Sequence, residues 1–369
     1  MNNPEEKEIT FVMPFGPQHP ASGHFNAMIT CAGENVVDLK AYPGYLHRGF
    51  EKLMEYRTHV QNTMLSDRVC ILDPFSNEMA YVHAAEISSG VEAPERAKYI
   101  RAIMAELGRI LSHLTWIGIM SSALGLESGA KIAWGDREKI IRLNEVITGG
   151  RLYPCYFMPG GVRDDITGDM AGEISRVLDT LEDKGKLYDD FVFFNTTFTT
   201  RTNGIGVINA EDAVALGATG PTLRATGMGS DVRKDEPYDA YPCVDLEIVT
   251  MEKGDAYSRS MVRRGEIAAS ISLIRQLLQK MPAGDFKVKW PMTKKVPPGE
   301  TYFCCEAARG ELCFHMVSDG TDKPYRVKIR GPSFSLALAV FPYLSRGVQI
   351  ADIPAIYWSL DPCPADMDR

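Results

Sequence analysis

The chain has 369 residues, which by length alone suggests about two domains. Its 45% hydrophobic and 24% charged residues are typical of a globular protein. The formal net charge is −8 and no basic tract occurs, which excludes nucleic acid as a partner. Residues 1–8 do not resemble a secretory signal, and no apolar run reaches the roughly 20 residues that a membrane span needs. We therefore expect the cytosol, or a peripheral position on the cytoplasmic face of the cell membrane.

The eight cysteines show no framework spacing, which predicts reduced and mostly buried thiols.

The first half of the chain predicts a small sheet followed by helices. Apolar residues alternate at 9–13 and 25–38, which is typical of a hairpin, and a Gly-Pro-Gln-His-Pro loop lies between them. These form an N-terminal β region, residues 1–44. Residues 45–200 predict a helical bundle that begins at 45–53 and includes helices at 95–118, 135–148 and 169–197.

The second half predicts a mixed architecture. Residues 201–290 contain a glycine-rich segment and a long helix at 256–280. The glycines lack the strand-then-helix frame of a dinucleotide fold, so we predict no NAD-binding site. Residues 291–369, with strands at 302–329 and a short buried helix at 334–344, close the cavity. The fold class is therefore predicted to be α+β, with a central helical bundle between a small N-terminal sheet and a C-terminal mixed part.

Two short motifs, each Cys-x-x-Asp, lie near opposite ends of the chain. They are Cys70 with Asp73, and Cys363 with Asp366. Two facing Cys-x-x-Cys turns would supply the four thiolates that soft metals prefer. Here a carboxylate occupies the second position of each turn, which indicates a degenerate metal site. We expect no metal there.

Further motifs occur in one order along the whole chain. Together they resemble the large catalytic subunit of respiratory complex I and of energy-converting membrane-bound [NiFe] hydrogenases. The resemblance implies a fold like that of the [NiFe]-hydrogenase large subunit. The motifs lie at residues 16–20 (GPQHP), 44–52 (GYLHRGFEK), 160–165 (GGVRDD), 220–227 (GPTLRATG), 231–234 (DVRK) and 306–311 (EAARGE).

Two departures separate this chain from the main branches of that superfamily. In the hydrogenases, both turns are complete and their second cysteines bridge nickel and iron, whereas Asp73 and Asp366 cannot supply such thiolate bridges. In complex I, a tyrosine follows the position of Cys70 and binds quinone together with the histidine of the His-Pro loop. This chain has Ile71 there, although His19 remains. It is most similar to the nickel-free membrane-bound sulfane reductases, Mbx or Mbs.

The resemblance implies roles for several side chains. At the bottom of the cavity, protons would be delivered by Cys70, Asp73, Cys363 and Asp366. An anionic acceptor would be held by Arg68 and Arg309. Protons would be relayed, or the cavity coupled to the membrane, by His19, Glu51 and His47. An alternative is that the two aspartates are relics in buried ion pairs with the arginines; pairing of Arg309 with Glu51 or Glu306 is also possible from sequence.

The implied function is the reduction of sulfane sulfur or polysulfide with ferredoxin electrons, coupled to ion transport. The chain itself would bind no cofactor, and the proximal [4Fe–4S] cluster would lie in an adjacent small subunit. Other peripheral-arm subunits and antiporter-like membrane-arm subunits would complete the assembly. Two alternatives stay open: a quinone- or methanophenazine-reducing subunit of complex I type, and a non-catalytic scaffold between the cluster subunit and the membrane arm.

Overall fold

The computed structural model describes residues 9–369. Residues 1–8, where the sequence predicts no secretory signal, lie outside the described part. Three antiparallel sheets are present in that part, with strand orders β1-β2-β3, β4-β5 and β6-β7-β8. The strands are β1 (Thr10–Phe15), β2 (Asn26–Ala32), β3 (Asn35–Tyr42), β4 (Phe157–Met158), β5 (Gly161–Val162), β6 (Gly299–Ala307), β7 (Gly310–Ser318) and β8 (Pro324–Arg330).

The helices occupy most of the remaining chain between and after these sheets. They are α1 (Phe50–Met54), α2 (His59–Ser66), α3 (Pro74–Ser89), α4 (Glu95–Ala123), α5 (Glu127–Thr148), α6 (Gly168–Asp183), α7 (Gly185–Tyr188), α8 (Thr196–Thr202), α9 (Ala210–Ala215), α10 (Gly220–Arg224), α11 (Val232–Asp235), α12 (Ala256–Lys280), α13 (Pro332–Ser335), α14 (Phe341–Leu344), α15 (Ile353–Leu360) and α16 (Pro364–Met367). Two π-helical turns, Asp189–Phe193 and Leu336–Val340, and two 3-10 turns, Tyr241–Cys243 and Ile350–Asp352, complete the order.

Helix α4 is the centre of the fold. It packs against α3, α5, α12 and α15. Pro94 at its N-cap cannot continue a helix backwards, and the helix runs from there with apolar side chains buried along most of its length. One hydrophobic core joins the parts of the chain, because Phe15 of β1 and Tyr357 of α15 belong to the same buried cluster. The division into four segments stays a prediction.

Helix α3 is the element that carries the candidate site against a sheet. It contacts β6 and β7, and even its polar residues Asn77 and Glu78 are buried. A helix enclosed on nearly all sides has no polar stripe, so its sequence lacks the periodic pattern that identifies surface helices. The sequence pattern did not delimit it for this reason.

The predicted fold class is confirmed, with local corrections. The strands, α4, α12 and the short buried helical region at 332–344 lie where expected. The predicted helix at 169–197 is instead α6, α7 and a π-turn, after which Asn195 caps α8 with its side chain and starts a new helix. The expectation of reduced thiols is wrong for Cys304 and Cys313, which form a disulfide because they are direct partners across β6 and β7. Within residues 9–369, no helix is both long and apolar enough to cross a bilayer.

Candidate functional site

The two Cys-x-x-Asp motifs meet although they lie at opposite ends of the chain. Cys70 follows α2, and Cys363 follows α15 at the start of α16. Both thiols are buried and share a small apolar cluster with Ala365, against which Leu46 and Leu72 pack. The Cys363 peptide N–H donates to the Ser333 hydroxyl at 3.0 Å, which ties the closing segment to α13.

Arg309 links the tight turn between β6 and β7 to this thiol pair. Its Nη1 lies 3.9 Å from the Cys70 sulfur, its Nε donates to the Asp361 carbonyl at 2.8 Å, and its Nη2 lies 3.0 Å from the Asp361 carboxylate. Gly220 sets the position of the turn, since a Cβ there would lie 2.6 Å from the Arg309 carbonyl oxygen. Because Gly220 also has a φ of +63°, only glycine suits this backbone contact.

The carboxylates of the two motifs are held mainly by peptide groups. Asp73 caps α3 by accepting from the Ser76 N–H at 3.3 Å, and it accepts from the Ala308 N–H at 2.8 Å. Asp366 accepts from the Ser333 N–H at 3.1 Å. The alternative in which Arg68 and Arg309 hold these aspartates in ion pairs is therefore wrong, because Arg309 pairs with Asp361 and Arg68 with Asp67.

These donors do not fit a nickel–iron centre. Both oxygens of Asp73 already accept peptide N–H groups that fix α3 and the β6–β7 turn, so the carboxylate is committed to the backbone. Carboxylates are also hard ligands that lack the polarizable bridging sulfur such a centre requires. That no [NiFe] centre forms here stays a prediction.

A small cavity lies among these side chains. Its volume is about 10 Å³, room for about one water molecule, and it is lined by Cys70, Asp73, Arg309 and Asp366 with four other residues. The hydrogen bond between the two thiols, together with burial, raises the pKa of Cys70, and the same bond lowers the pKa of Cys363 with help from Arg309. Burial raises the pKa of Asp366. The two thiols therefore titrate as a pair and not as independent groups.

Arg68 lies outside this cavity. Its guanidinium donates to the Met64 carbonyl at 2.6 Å and to the neighbouring Asp67 carboxylate at 2.5 Å, and 42% of its side chain is exposed. It packs over the ring of Tyr153. The arrangement differs from the sequence-based expectation because the turn after α2 directs adjacent side chains to different sides.

Glu51 and His47 hold the last residues of the chain. Glu51 pairs with Arg326 at 2.9 Å and with Arg369 at 3.3 Å, and His47 Nδ1 lies 2.7 Å from the Asp368 carbonyl oxygen. Glu51 does not pair with Arg309, so that alternative is wrong. The contacts anchor the segment that carries Cys363; a role in proton transfer stays a prediction.

His19 lies in a different place from the thiol pair. It is exposed, accepts from the Ala21 N–H at 3.1 Å, and lies 4.9 Å from the Phe15 ring. It lines an open cavity of about 510 Å³ with Trp134 and Trp358. Its coupling role also stays a prediction.

Two residues of the site were missed by sequence reasoning. Asp361 lies two residues before Cys363, and its side chain is fully buried as the partner of Arg309. Gly331 lies so close to the Asp366 carboxylate that no side chain fits there. Asp361 could have been recognised as an acidic residue close to the motif. Nothing in a single sequence distinguishes Gly331 from the other glycines.

Comparison with known proteins agrees with this arrangement. Residues 123–296 and 289–369 match the family of the respiratory-chain NADH dehydrogenase 49 Kd subunit, and the chain belongs to this family. It is 40% identical over 356 residues to an NADH-quinone oxidoreductase subunit from Clostridium beijerinckii, with 96% of each chain covered. It is 39% identical over 365 residues to an F(420)H(2) dehydrogenase subunit from Methanosarcina mazei, with 97% of each chain covered.

A solved structure is similar over the whole chain. It is that of the membrane-bound sulfane sulfur reductase, an archaeal respiratory membrane complex, with 42% identity, a TM-score of 0.95 and full coverage of both chains. The predicted relationship to the large subunits of complex I and the hydrogenases is confirmed. The chain is thus an oxidoreductase core subunit of a membrane-bound, multi-subunit complex.

Proposed function

We propose that this chain is the catalytic large subunit of a ferredoxin-dependent complex that reduces sulfane sulfur or polysulfide. Electrons reach its cavity from a [4Fe–4S] cluster in an adjacent small subunit, and membrane-arm subunits use the released energy to move ions. The chain lies peripherally on the cytoplasmic face of the membrane. The observation that carries the proposal is the buried thiol pair, Cys70 and Cys363, with Arg309 beside it.

The chemistry follows from the charges at this pair. Two electrons and one proton convert a polysulfide dianion into a dianion one sulfur shorter and a hydrosulfide anion, so that one S–S bond breaks and negative charge increases. The guanidinium of Arg309, positively charged and buried, favours such anions. The thiols of Cys70 and Cys363 or the raised-pKa carboxyl of Asp366 supply the proton.

The approach to the thiols also suits this acceptor. The cavity has room for about one water molecule, and Ile71, next to Cys70 in the chain, has a side chain that is 44% exposed, so we place the approach of a sulfur chain on this side. An isoleucine offers an apolar contact to a sulfur chain but no hydrogen bond to a quinone carbonyl. Similarity to a sulfane sulfur reductase over the whole chain supports the same assignment.

The second candidate is reduction of a quinone or methanophenazine. It is favoured by His19 on the wall of the cavity of about 510 Å³, a volume within the usual range for small-molecule sites. The name of one relative, NADH-quinone oxidoreductase, points the same way.

The test offers the purified complex reduced ferredoxin with polysulfide, and separately with a quinone analogue. We expect sulfide release that Cys70→Ser and Cys363→Ser reduce strongly, while reduction of the iron–sulfur clusters is unchanged. The exposed Cys243 provides a matched control, and Cys243→Ser should have no effect. Turnover of the quinone analogue alone, blocked by quinone-site inhibitors, would establish the second candidate. Cluster reduction with neither acceptor turned over would indicate a scaffold.

A further inference from the structure

A buried network of charged side chains lies next to the β6–β7 turn but outside the thiol cavity. Ion pairs no longer than 3.3 Å connect its members, and each is at most 5% exposed. Four carboxylates face three guanidinium groups and one imidazole: Glu106, Asp231, Glu266 and Glu306; Arg109, Arg224 and Arg233; and His113.

Within this network the carboxylates outnumber the guanidinium groups by one, and the nearby buried Arg263 donates to backbone carbonyls and not to any of these carboxylates. With every carboxylate ionised and the imidazole neutral, the network carries one excess negative charge. An uncompensated charge in a protein interior costs several kcal/mol, so a buried group takes up a proton instead. Burial lowers the pKa of His113, which makes the imidazole a poor holder of that proton.

Glu306 is the carboxylate with the fewest compensating contacts. Its oxygens have one guanidinium, Arg224 at 2.8 Å, and one peptide N–H, Val232 at 3.2 Å. The same guanidinium is shared with Asp231 and Glu266.

The other three acids are better satisfied. Asp231 has both oxygens within reach of Arg233, Glu266 also bonds His113 at 2.8 Å, and Glu106 accepts from Arg233, Tyr241 and Ser270. Burial alone would raise the pKa of each of these acids, but the facing cations hold them low, that of Asp231 at about 2.

The backbone connects Glu306 to the thiol cavity. Arg109 donates to the carbonyls of Glu306 and Ala307 at 2.6 and 3.2 Å, which fixes the end of β6. The next residue, Ala308, donates its N–H to Asp73, and Arg309 follows it. Charge that enters the cavity therefore shifts the pKa of Glu306, because only a short, buried segment of chain separates the two.

We infer that Glu306 holds the one exchangeable proton of this network and takes it up when negative charge enters the neighbouring cavity. Burial and the nearby Asp231 carboxylate raise the pKa of Glu306 to about 7, which agrees with this assignment. The step is a simple protonation of a carboxylate by a proton from solvent. The link to electron arrival rests on the proposed function, whereas the presence of the proton does not. The charged or titratable groups that surround Glu306 are Glu106, Arg109, Arg224, Asp231, Arg233, Tyr238 and Glu266, with Asp73 and Cys305 on the cavity side.

The test is infrared difference spectroscopy of the purified complex across pH 7, in H2O and in D2O, without any acceptor. We expect a carboxylic acid C=O band that disappears with a midpoint near pH 7 and shifts when the protein carries 13C-labelled glutamate. Glu306→Gln should abolish the band. Glu311→Gln is the matched control, because Glu311 is the cross-strand partner of Glu306 but is partly exposed, and the band should persist.

Two further measurements test the link to the cavity. Reduction of the clusters should move the midpoint upward, and Asp73→Asn, which removes a negative charge from the cavity, should move it downward. A band that survives in Glu306→Gln would overturn the inference. A labelled wild-type complex with no glutamate band near pH 7 would also overturn it, and this second measurement does not depend on the assembly of Glu306→Gln. A wild-type complex that shows the Glu306 band but produces no sulfide from polysulfide would instead count against the proposed function.

Discussion

Removal of the Arg309 guanidinium should show how the two ends of the chain are held together. Arg309→Met keeps the apolar stem of the side chain but leaves the fully buried Asp361 without its cation. Loss of one partner of a buried ion pair costs about 3–5 kcal/mol, mostly because the remaining charge is uncompensated. Asp361 ends α15 in a left-handed conformation, so the penalty falls on the segment that leads to Cys363.

A double-mutant cycle separates this charge effect from packing. Asp361→Asn removes the negative charge and keeps a residue type that tolerates a φ of 55°. The double variant should be more stable than the sum of the single penalties predicts, by about 0.5–3 kcal/mol. Hydrogen–deuterium exchange of residues 353–369 in the purified complex measures the opening free energy. Penalties that add within about 0.5 kcal/mol would refute the ion-pair argument.

The same double variant separates structure from function. If Arg309 stabilises an anionic acceptor, the variant should regain protection from exchange but still lose about 10²–10³-fold of polysulfide turnover. Cluster reduction by ferredoxin should stay at the wild-type rate. Wild-type polysulfide turnover in the restored double variant would show that Arg309 serves only the fold.

Three other outcomes are expected. Metal analysis of the purified complex should find iron but no stoichiometric nickel, and bound nickel would restore the hydrogenase interpretation. Gly220→Ala should destabilise the β6–β7 turn. An alanine in the left-handed conformation costs about 1–2 kcal/mol by itself, and the cost here should be larger because its Cβ would lie 2.6 Å from the Arg309 carbonyl oxygen. Gly217→Ala, at a similar φ of +71° with its nearest contact at 3.5 Å, should cost only the conformational term. The pKa of Glu306, raised from 4.5 to about 7, should make stability fall as pH rises through that window, by on the order of 3 kcal/mol, and Glu306→Gln should remove this slope from pH-dependent unfolding curves.

The long helices and the sheets could be predicted because their patterns are local. Helix α12 lies where the apolar spacing placed it, since Asp255 caps its first turn. Helix α3 could not be delimited, because burial on nearly all sides removes the periodic contrast between apolar and polar faces. The disulfide between Cys304 and Cys313 depends on strand register, which cysteine spacing alone does not reveal.

The meeting of the two thiols could be predicted, but not the side chains that surround them. Cys70 and Cys363 were expected to meet because both belong to the same short motif, and the structure brings them together. Ion-pair partners are set by the tertiary fold: Arg233 and Glu106 are 127 residues apart, and no local pattern connects them. Arg68 lies outside the cavity for a similar reason, since the geometry of one turn decides the direction of its side chain.

The replacement of sulfur by oxygen at Asp73 and Asp366 changes what holds the site together. In a complete nickel–iron site, the metals themselves would join the two ends of the chain. Here Asp73 joins α3 to the β6–β7 turn, Asp366 joins α16 to α13, and the Arg309–Asp361 pair closes the remaining gap. The two carboxylates therefore stabilise the fold without a metal. The two thiols alone are too few to form a four-thiolate metal site. If the thiols were only relics, a well-packed apolar pair could close the same gap in place of Arg309 and Asp361, because such replacements of buried ion pairs are often neutral or stabilising. The presence of a buried guanidinium 3.9 Å from the Cys70 sulfur therefore favours an anion in the cavity during turnover.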